Sequence, residues 1–342
     1  MILSEIDADS ISDPEVKVKI IDCLASQQKC HCQKEDMGFG FVHLMSEKKS
    51  KSQVFAARLF STLLLWAAVT GMFLSDSPWA FAGFMVLLGV AASREYFAMA
   101  KNASFPCLYK WGFITSALYL FGIGILLASK GSAALDSVSA VSGAAVAFVA
   151  ISTFIIQLKD PIDRDKSLVS VASTVIGFIY IAFLFGFMAR LCFIEPSVDG
   201  EGVPGKWLII WVVAVTKFTD MGAYITGSLI GKNKMIPHIS PGKTWEGFFG
   251  ALVWAQLAAC GLYALLPDSL SILGGWHHVI ILGFILALLA VVGDLAESII
   301  KRCLKAKDSG KTLPGIGGAL DLIDSLCFTA PALYFYIIWV IG

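Results

Sequence analysis

Four residues near the end of a long apolar run, Asp294, Glu297, Ser298 and Lys301, are spaced i, i+3, i+4 and i+7 and share one face of a helix. Ionisable groups at such a position are costly and commonly functional. A strip of self-neutralising ion pairs would use the same spacing, but the residues that follow ask for more. Arg302, Lys305, Lys307 and Lys311 form a dense cationic cluster with Asp308 inside it, and Asp321 and Asp324 make another i, i+3 pair opening the next apolar run. Several carboxylates in a short stretch can hold Mg²⁺, which takes hard oxygen ligands and shares them with substrate phosphates. Lysine and arginine neutralise phosphate charge. Gly310, Gly315, Gly317 and Gly318 let backbone N–H groups approach an anion. Together these residues point to metal-assisted phosphate chemistry.

A second cluster lies in residues 216–247. Lys217, Asp220 and Tyr224 share a helical face, and Ser240, Pro241 and Gly242 predict a turn that delivers Lys243 to a helix start at Thr244. The first N–H groups of such a helix can cradle a phosphate. The run from Gly227 to Lys232 has three residues between its glycines where a phosphate-binding loop needs four, and no strand is expected before it. His238 beside the turn reads as a surface histidine, and His277 and His278 as interfacial. The sequence contains no Ser-His-Asp arrangement, no H-E-x-x-H and no C-x-x-C, so hydrolase and zinc-enzyme classes have no support. Cys30, His31 and Cys32 lack the paired spacing of a zinc site, and the other cysteines read as reduced thiols.

The elements that must carry these residues are membrane helices. The chain is 57% hydrophobic and 15% charged, against roughly 45–50% and 25% in soluble globular domains. Apolar runs long enough to cross the bilayer recur at 55–74, 79–98, 108–128, 134–157, 168–188, 207–230, 247–266, 276–299 and 322–341. The fold class is an all-α polytopic membrane protein with about nine transmembrane helices.

Basic residues alternate between loops. Arg94, Lys101, Lys110, Lys159, Arg164, Lys166, Lys232, Lys234, Lys243 and the cluster after Lys301 fall on one side, and only Lys130, Arg190 and Lys206 on the other. That bias predicts a cytoplasmic N-terminus and a cytoplasmic site. Lys48, Lys49 and Lys51 agree. Formal net charge is zero, which offers nothing to nucleic acid. Three regions are expected: a polar cytoplasmic extension over 1–50, a five-helix membrane scaffold over 51–205, and a four-helix catalytic membrane domain with cytoplasmic loops over 206–342.

The stretch "SIIKRCLKAKDSGKTLPGIGGALDLID", Ser298 to Asp324, resembles the signature of the phosphatidate cytidylyltransferases, the CDP-diacylglycerol synthases. The 216–247 block is similar to that family's second landmark. Ile316 stands where the family usually has His, Leu322 where it usually has Arg, and Ala319 where a larger aliphatic is usual. These departures bear on rate and lipid preference more than on reaction class.

The resemblance implies CTP and phosphatidic acid as substrates, and Mg²⁺, alone or with a second cation, as cofactor. It implies a homodimer in a bacterial cytoplasmic (inner) membrane, with the site facing the cytoplasm. It carries metal binding onto Asp294, Asp321 and Asp324, and the catalytic roles onto Asp294, Asp321, Lys301 and Asp308. Nucleotide and phosphate contacts fall on Ser240, Pro241, Gly242, Lys243, Lys301, Arg302, Lys307 and Asp220. A CTP-dependent lipid kinase and an ion-coupled transporter are the competing readings. A transporter would use intramembrane Asp and Lys but not the Lys/Gly loop between the acid pairs.

Overall fold

The computed structural model of the chain describes residues 69–71, 73, 75, 77–159, 161–194, 197–198, 201–202, 205–306, 309–310 and 317–341. The expected cytoplasmic extension, Lys307 and Asp308, and residues 311–316 lie outside them. Residues 57–342 form one compact unit. Among the described residues, seven helical segments are long and apolar enough to cross a membrane.

Helix α1 (Pro78–Asn102) starts behind Ser77, whose hydroxyl accepts the Ala80 N–H at 3.5 Å, with Pro78 at the position where a missing N–H costs nothing. α2 (Tyr109–Lys130) ends at Gly131 with φ +59°, and one 3₁₀ turn leads into α3 (Leu135–Gln157). These two helices make up the 49-residue second segment and match two of the expected spans. α4 (Arg164–Gly177) continues through a π-helical turn, Phe178–Phe183, into α5 (Leu184–Cys192). A two-residue ladder, β1 (Ser197–Val198) with β2 (Glu201–Gly202), precedes α6 (Lys206–Ile230).

Next comes a hairpin of β3 (Lys234–Ile236) and β4 (Ser240–Thr244), then α7 (Trp245–Leu265), α8 (Trp276–Cys303), the single turn α9 (Ala319–Ile323) and α10 (Leu326–Tyr336). Eight of the nine expected spans are thus helical. The first, 55–74, is described only from residue 69 onward.

Two expectations change. Ser240, Pro241 and Gly242 are strand, not turn. The chain reverses at Pro237–Ile239 instead, where Ile236 O accepts the Ile239 N–H at 3.2 Å, and β4 pairs back on β3. Arg190, expected in an outer loop, is 3% exposed within α5. Its guanidinium lies 4.2 Å from the Phe187 ring centroid and 5.9 Å from that of Tyr334, and it donates to the Ser142 hydroxyl. Aromatic faces and one hydroxyl stand in for water there.

The larger apolar core runs through both halves of the chain, joining Phe81 and Tyr96 of α1 and Phe187 of α5 to Trp211 of α6 and Leu282 of α8. Trp211 donates its indole N–H to Ala259 O at 3.1 Å, tying α6 to α7, and Thr216 reaches Thr329 at 3.1 Å, tying α6 to α10. A smaller core, Val86, Leu120, Ile123, Val138 and Phe178, fills the space between α1, α2, α3 and the π turn. Leu118, Phe148, Ile151 and Leu257 point outward, as lipid-facing side chains do. Buried hydroxyls in the spans mostly bond back to their own helix, as Ser116 does to Gly112 O and Thr219 to Val215 O, both at 2.7 Å.

Candidate active site

The charged residues of α6, β4, α8 and α9 meet because two backbones come unusually close. Gly293 on α8 faces the break between α9 and α10, and a Cβ there would stand 2.7 Å from Ser325 Cα and 3.0 Å from Asp324 O. Glycine is what that crossing requires. It brings Asp294, one residue along α8, beside Asp324 at the end of α9. Carboxylate oxygens of Asp294, Glu297 and Asp324 all lie within 4.8 Å of one another. Glu297 is 2% exposed and Asp324 5%. Asp324 Oδ1 accepts the Ser325 N–H at 2.6 Å, while Glu297 Oε1 finds no hydrogen-bond partner. A buried, unpartnered carboxylate oxygen is expensive. Three hard oxygen donors around it form a set that could hold a divalent cation such as Mg²⁺.

Lysines frame the carboxylates. Lys301 Nζ sits 2.7 Å from Glu297 Oε2 and 2.7 Å from Asp321 Oδ1. An ammonium group has three donors, so one remains for another anion. Lys243 Nζ, carried in by β4, lies 2.8 Å from Asp294 Oδ2 and 3.4 Å from Val291 O. Lys217 and Asp220 pair at 3.6 Å on α6.

Apart from Lys307 and Asp308, which lie outside the described residues, the sequence-derived site residues can be placed. Asp294 and Asp324 converge, together with Glu297. Asp321 stands beside them rather than among them: Oδ1 binds Lys301 and Oδ2 accepts the Gly318 N–H at 2.8 Å. Arg302 donates from Nε to Ile239 O at 3.2 Å, pinning the hairpin turn to the end of α8. Ser240, Pro241 and Gly242 lie along β4 and lead to Lys243. Thr244 caps α7, its Oγ1 accepting the Gly247 N–H at 3.1 Å. Glu246 takes the Asn233 side-chain N–H at 2.7 Å and closes the base of the hairpin.

The structure adds two acids to the candidate site. Glu297, on the Asp294 face by its i+3 spacing, joins Asp294 and Asp324 as a candidate cation ligand. Glu95 of α1 was not singled out. It is the sole acid of α1, next to Arg94, and an acid in such a span is a signal for a functional group.

Fold and site together define a polytopic helical membrane protein with a carboxylate and ammonium cluster where its last membrane segments cross. The sequence pattern of the cytidylyltransferase family matches residues 56–340, and the chain belongs to that family. It is 31% identical over 255 residues to the phosphatidate cytidylyltransferase of Bacillus subtilis, covering 74% of this chain and 87% of that one. It is 31% identical over 290 residues to the phosphatidate cytidylyltransferase of Staphylococcus haemolyticus, covering 83% and 96%. It is also 29% identical over 270 residues to the uncharacterized protein YnbB of Escherichia coli, covering 78% and 82%.

Proposed function

We propose that this protein transfers the cytidylyl group of CTP to phosphatidic acid, releasing pyrophosphate and leaving CDP-diacylglycerol in the membrane. The observation that carries the reading is the convergence of Asp294, Glu297 and Asp324, with an unpartnered Glu297 oxygen, between Lys243 and Lys301. Family membership and the relatives named above support it.

A phosphate oxygen of phosphatidic acid attacks the α-phosphorus of CTP. The new P–O bond forms as the bond to the bridging oxygen of the β-phosphate breaks, and pyrophosphate leaves with that electron pair. A phosphate monoester loses its second proton near pH ~6, so the nucleophile arrives ionised and needs no general base. The chain's task is to bring anions together and stabilise the leaving group. Asp294, Glu297 and Asp324 would hold Mg²⁺, which would neutralise charge on the triphosphate and orient it. The free donor of Lys301 and the Lys243 ammonium offer charge to phosphate oxygens. Asp321 holds Lys301 in place. The basic-loop bias supports a cytoplasmic site, where soluble CTP meets a lipid headgroup.

The test is purified protein with phosphatidic acid, Mg²⁺ and CTP labelled in turn at the α- and γ-phosphates. Label entering the lipid from the α position alone is the expected result. Label entering from the γ position shows a lipid kinase instead, and no labelled lipid overturns the reading.

A further inference from the structure

Glu95 belongs to α1, in the half of the chain expected to be scaffold, yet its carboxylate is used by the other half. It is 6% exposed, and its Oε2 accepts the Leu320 N–H at 2.9 Å, across 225 positions of sequence. Leu320 is the second residue of α9, and Gly318 occupies the cap position ahead of it. A helix cap is normally a Ser, Thr, Asp or Asn whose side-chain oxygen accepts the N–H of the second or third residue. Gly318 has no such oxygen. Glu95 supplies it from another helix.

The fit is close. A Cβ on Gly310 or on Gly318 would collide with the Glu95 carboxyl, so both glycines are what the approach of this acid demands. The element so capped is a single turn of five residues, and a lone turn fixes several dihedrals for few hydrogen bonds. That turn carries Asp321, and Asp324 follows it with its N–H on Leu320 O at 3.0 Å. Leu320 thus receives the cap at one end and holds Asp324 at the other.

We infer that Glu95 is a positioning residue for the transfer reaction, capping α9 from α1 and so holding Asp321 on Lys301 and Asp324 beside Asp294 and Glu297. The inference rests on the function proposed above and adds that the N-terminal half sets the geometry of the site.

Glu95→Gln keeps an acceptor oxygen at the same reach, and Glu95→Ala removes it. Expected for Glu95→Ala is a fall in kcat of about five- to tenfold or more, the scale of a lost helix cap. The KM for CTP and for phosphatidic acid stays within about twofold, because the substrate-facing lysines remain. Glu95→Gln stays within about threefold of wild type in kcat. Hydrogen exchange followed by mass spectrometry gives a readout separate from turnover. Peptides covering 317–325 exchange faster in Glu95→Ala and unchanged in Glu95→Gln.

In the variant that combines Glu95→Ala and Ser309→Ala with Gly318→Ser, loss of the Glu95 carboxyl and of the Ser309 hydroxyl, the two groups that a Cβ on Gly318 would meet, admits a side chain whose hydroxyl caps α9 locally. Turnover and protection recover in part. Wild-type turnover in Glu95→Ala, loss in Glu95→Gln equal to that in Glu95→Ala, or unchanged exchange over 317–325 overturns the inference. If Glu95→Ala does not accumulate as folded protein, the combined variant decides: recovery supports the cap and no recovery overturns it. Inactive wild-type protein would instead overturn the proposed function, so the two failures are told apart.

Discussion

Replacing Lys301 by Met removes one charge and keeps most of the side-chain volume. In the native site its ammonium lies 2.7 Å from oxygens of both Glu297 and Asp321. Those two oxygens are therefore no more than ~5.4 Å apart, and in Lys301→Met they face each other with nothing positive between them. Two unit charges at that separation repel by about 3 kcal/mol at an effective dielectric constant near 20, a factor on the order of 100. The lost attractions add to this. Removing one partner of a buried ion pair commonly costs roughly 3–5 kcal/mol. The expected result is a kcat/KM lower by ~100-fold or more, measured as CDP-lipid formed from α-labelled CTP by protein that remains monodisperse in detergent. Lys301→Arg keeps the charge and can bridge both carboxylates with a planar fork, so it should lose less. Turnover of Lys301→Met within about threefold of wild type would refute the placement of this ammonium at the centre of the site.

Other consequences follow from the same geometry. Asp294→Asn and Asp324→Asn should raise the Mg²⁺ concentration for half-maximal turnover by about tenfold or more, whereas Asp321→Asn lowers kcat without that shift, read from magnesium titrations of each variant. EDTA should abolish turnover and added Mg²⁺ restore it. Gly293→Val should force α8 away from Ser325, at an overpacking cost of about 1–3 kcal/mol, and appear as a lower Tm together with lost activity. Thr244→Ala should cost about 1 kcal/mol of stability in thermal unfolding and Thr244→Ser much less, since Ser keeps the capping oxygen.

The helical membrane architecture was legible in composition and run length, because a span must be long and apolar wherever it lies in the chain. Spacing along one helix was equally legible. Asp294, Glu297 and Lys301 share a face, and Lys301 does reach Glu297 four residues back. What the sequence could not show is which partners arrive from elsewhere. Lys243 reaches Asp294 only because β4 pairs with β3 and Arg302 pins the hairpin turn to α8. A run with proline and glycine reads as a turn until its partner strand is known. Asp321 and Asp324 are three residues apart and look equivalent, yet one binds a lysine and a backbone N–H while the other joins the buried carboxylates. That difference arises at the Gly293 crossing, a contact between separate helices with no periodic signal. Glu95 carried the signal of the one acid in its span, but an N–H on Leu320 has no side-chain signature to search for.

The exposure of the charged side chains falls in a direction that matters for chemistry at a membrane. Asp294 is 38% exposed at one end of the cluster, Lys243 and Lys301 are 19% exposed, and Glu297 at the other end is 3% exposed. A site uniformly open to water would screen the lysines and weaken their hold on phosphate. One sealed throughout would admit neither a nucleoside triphosphate nor a lipid headgroup. The gradient meets both needs. Glu297 and Asp324 sit where the medium is poorly screening and a cation would be bound most firmly. Asp294 is the most exposed of the group, with the two half-buried ammonium groups between it and the buried acids, where phosphates could reach them. The glycine at position 293 links the two ends, since the crossing it permits sets the more exposed Asp294 beside the buried Asp324 and Glu297. A side chain at that one backbone contact would therefore disturb the cation-holding end and the substrate-facing end together.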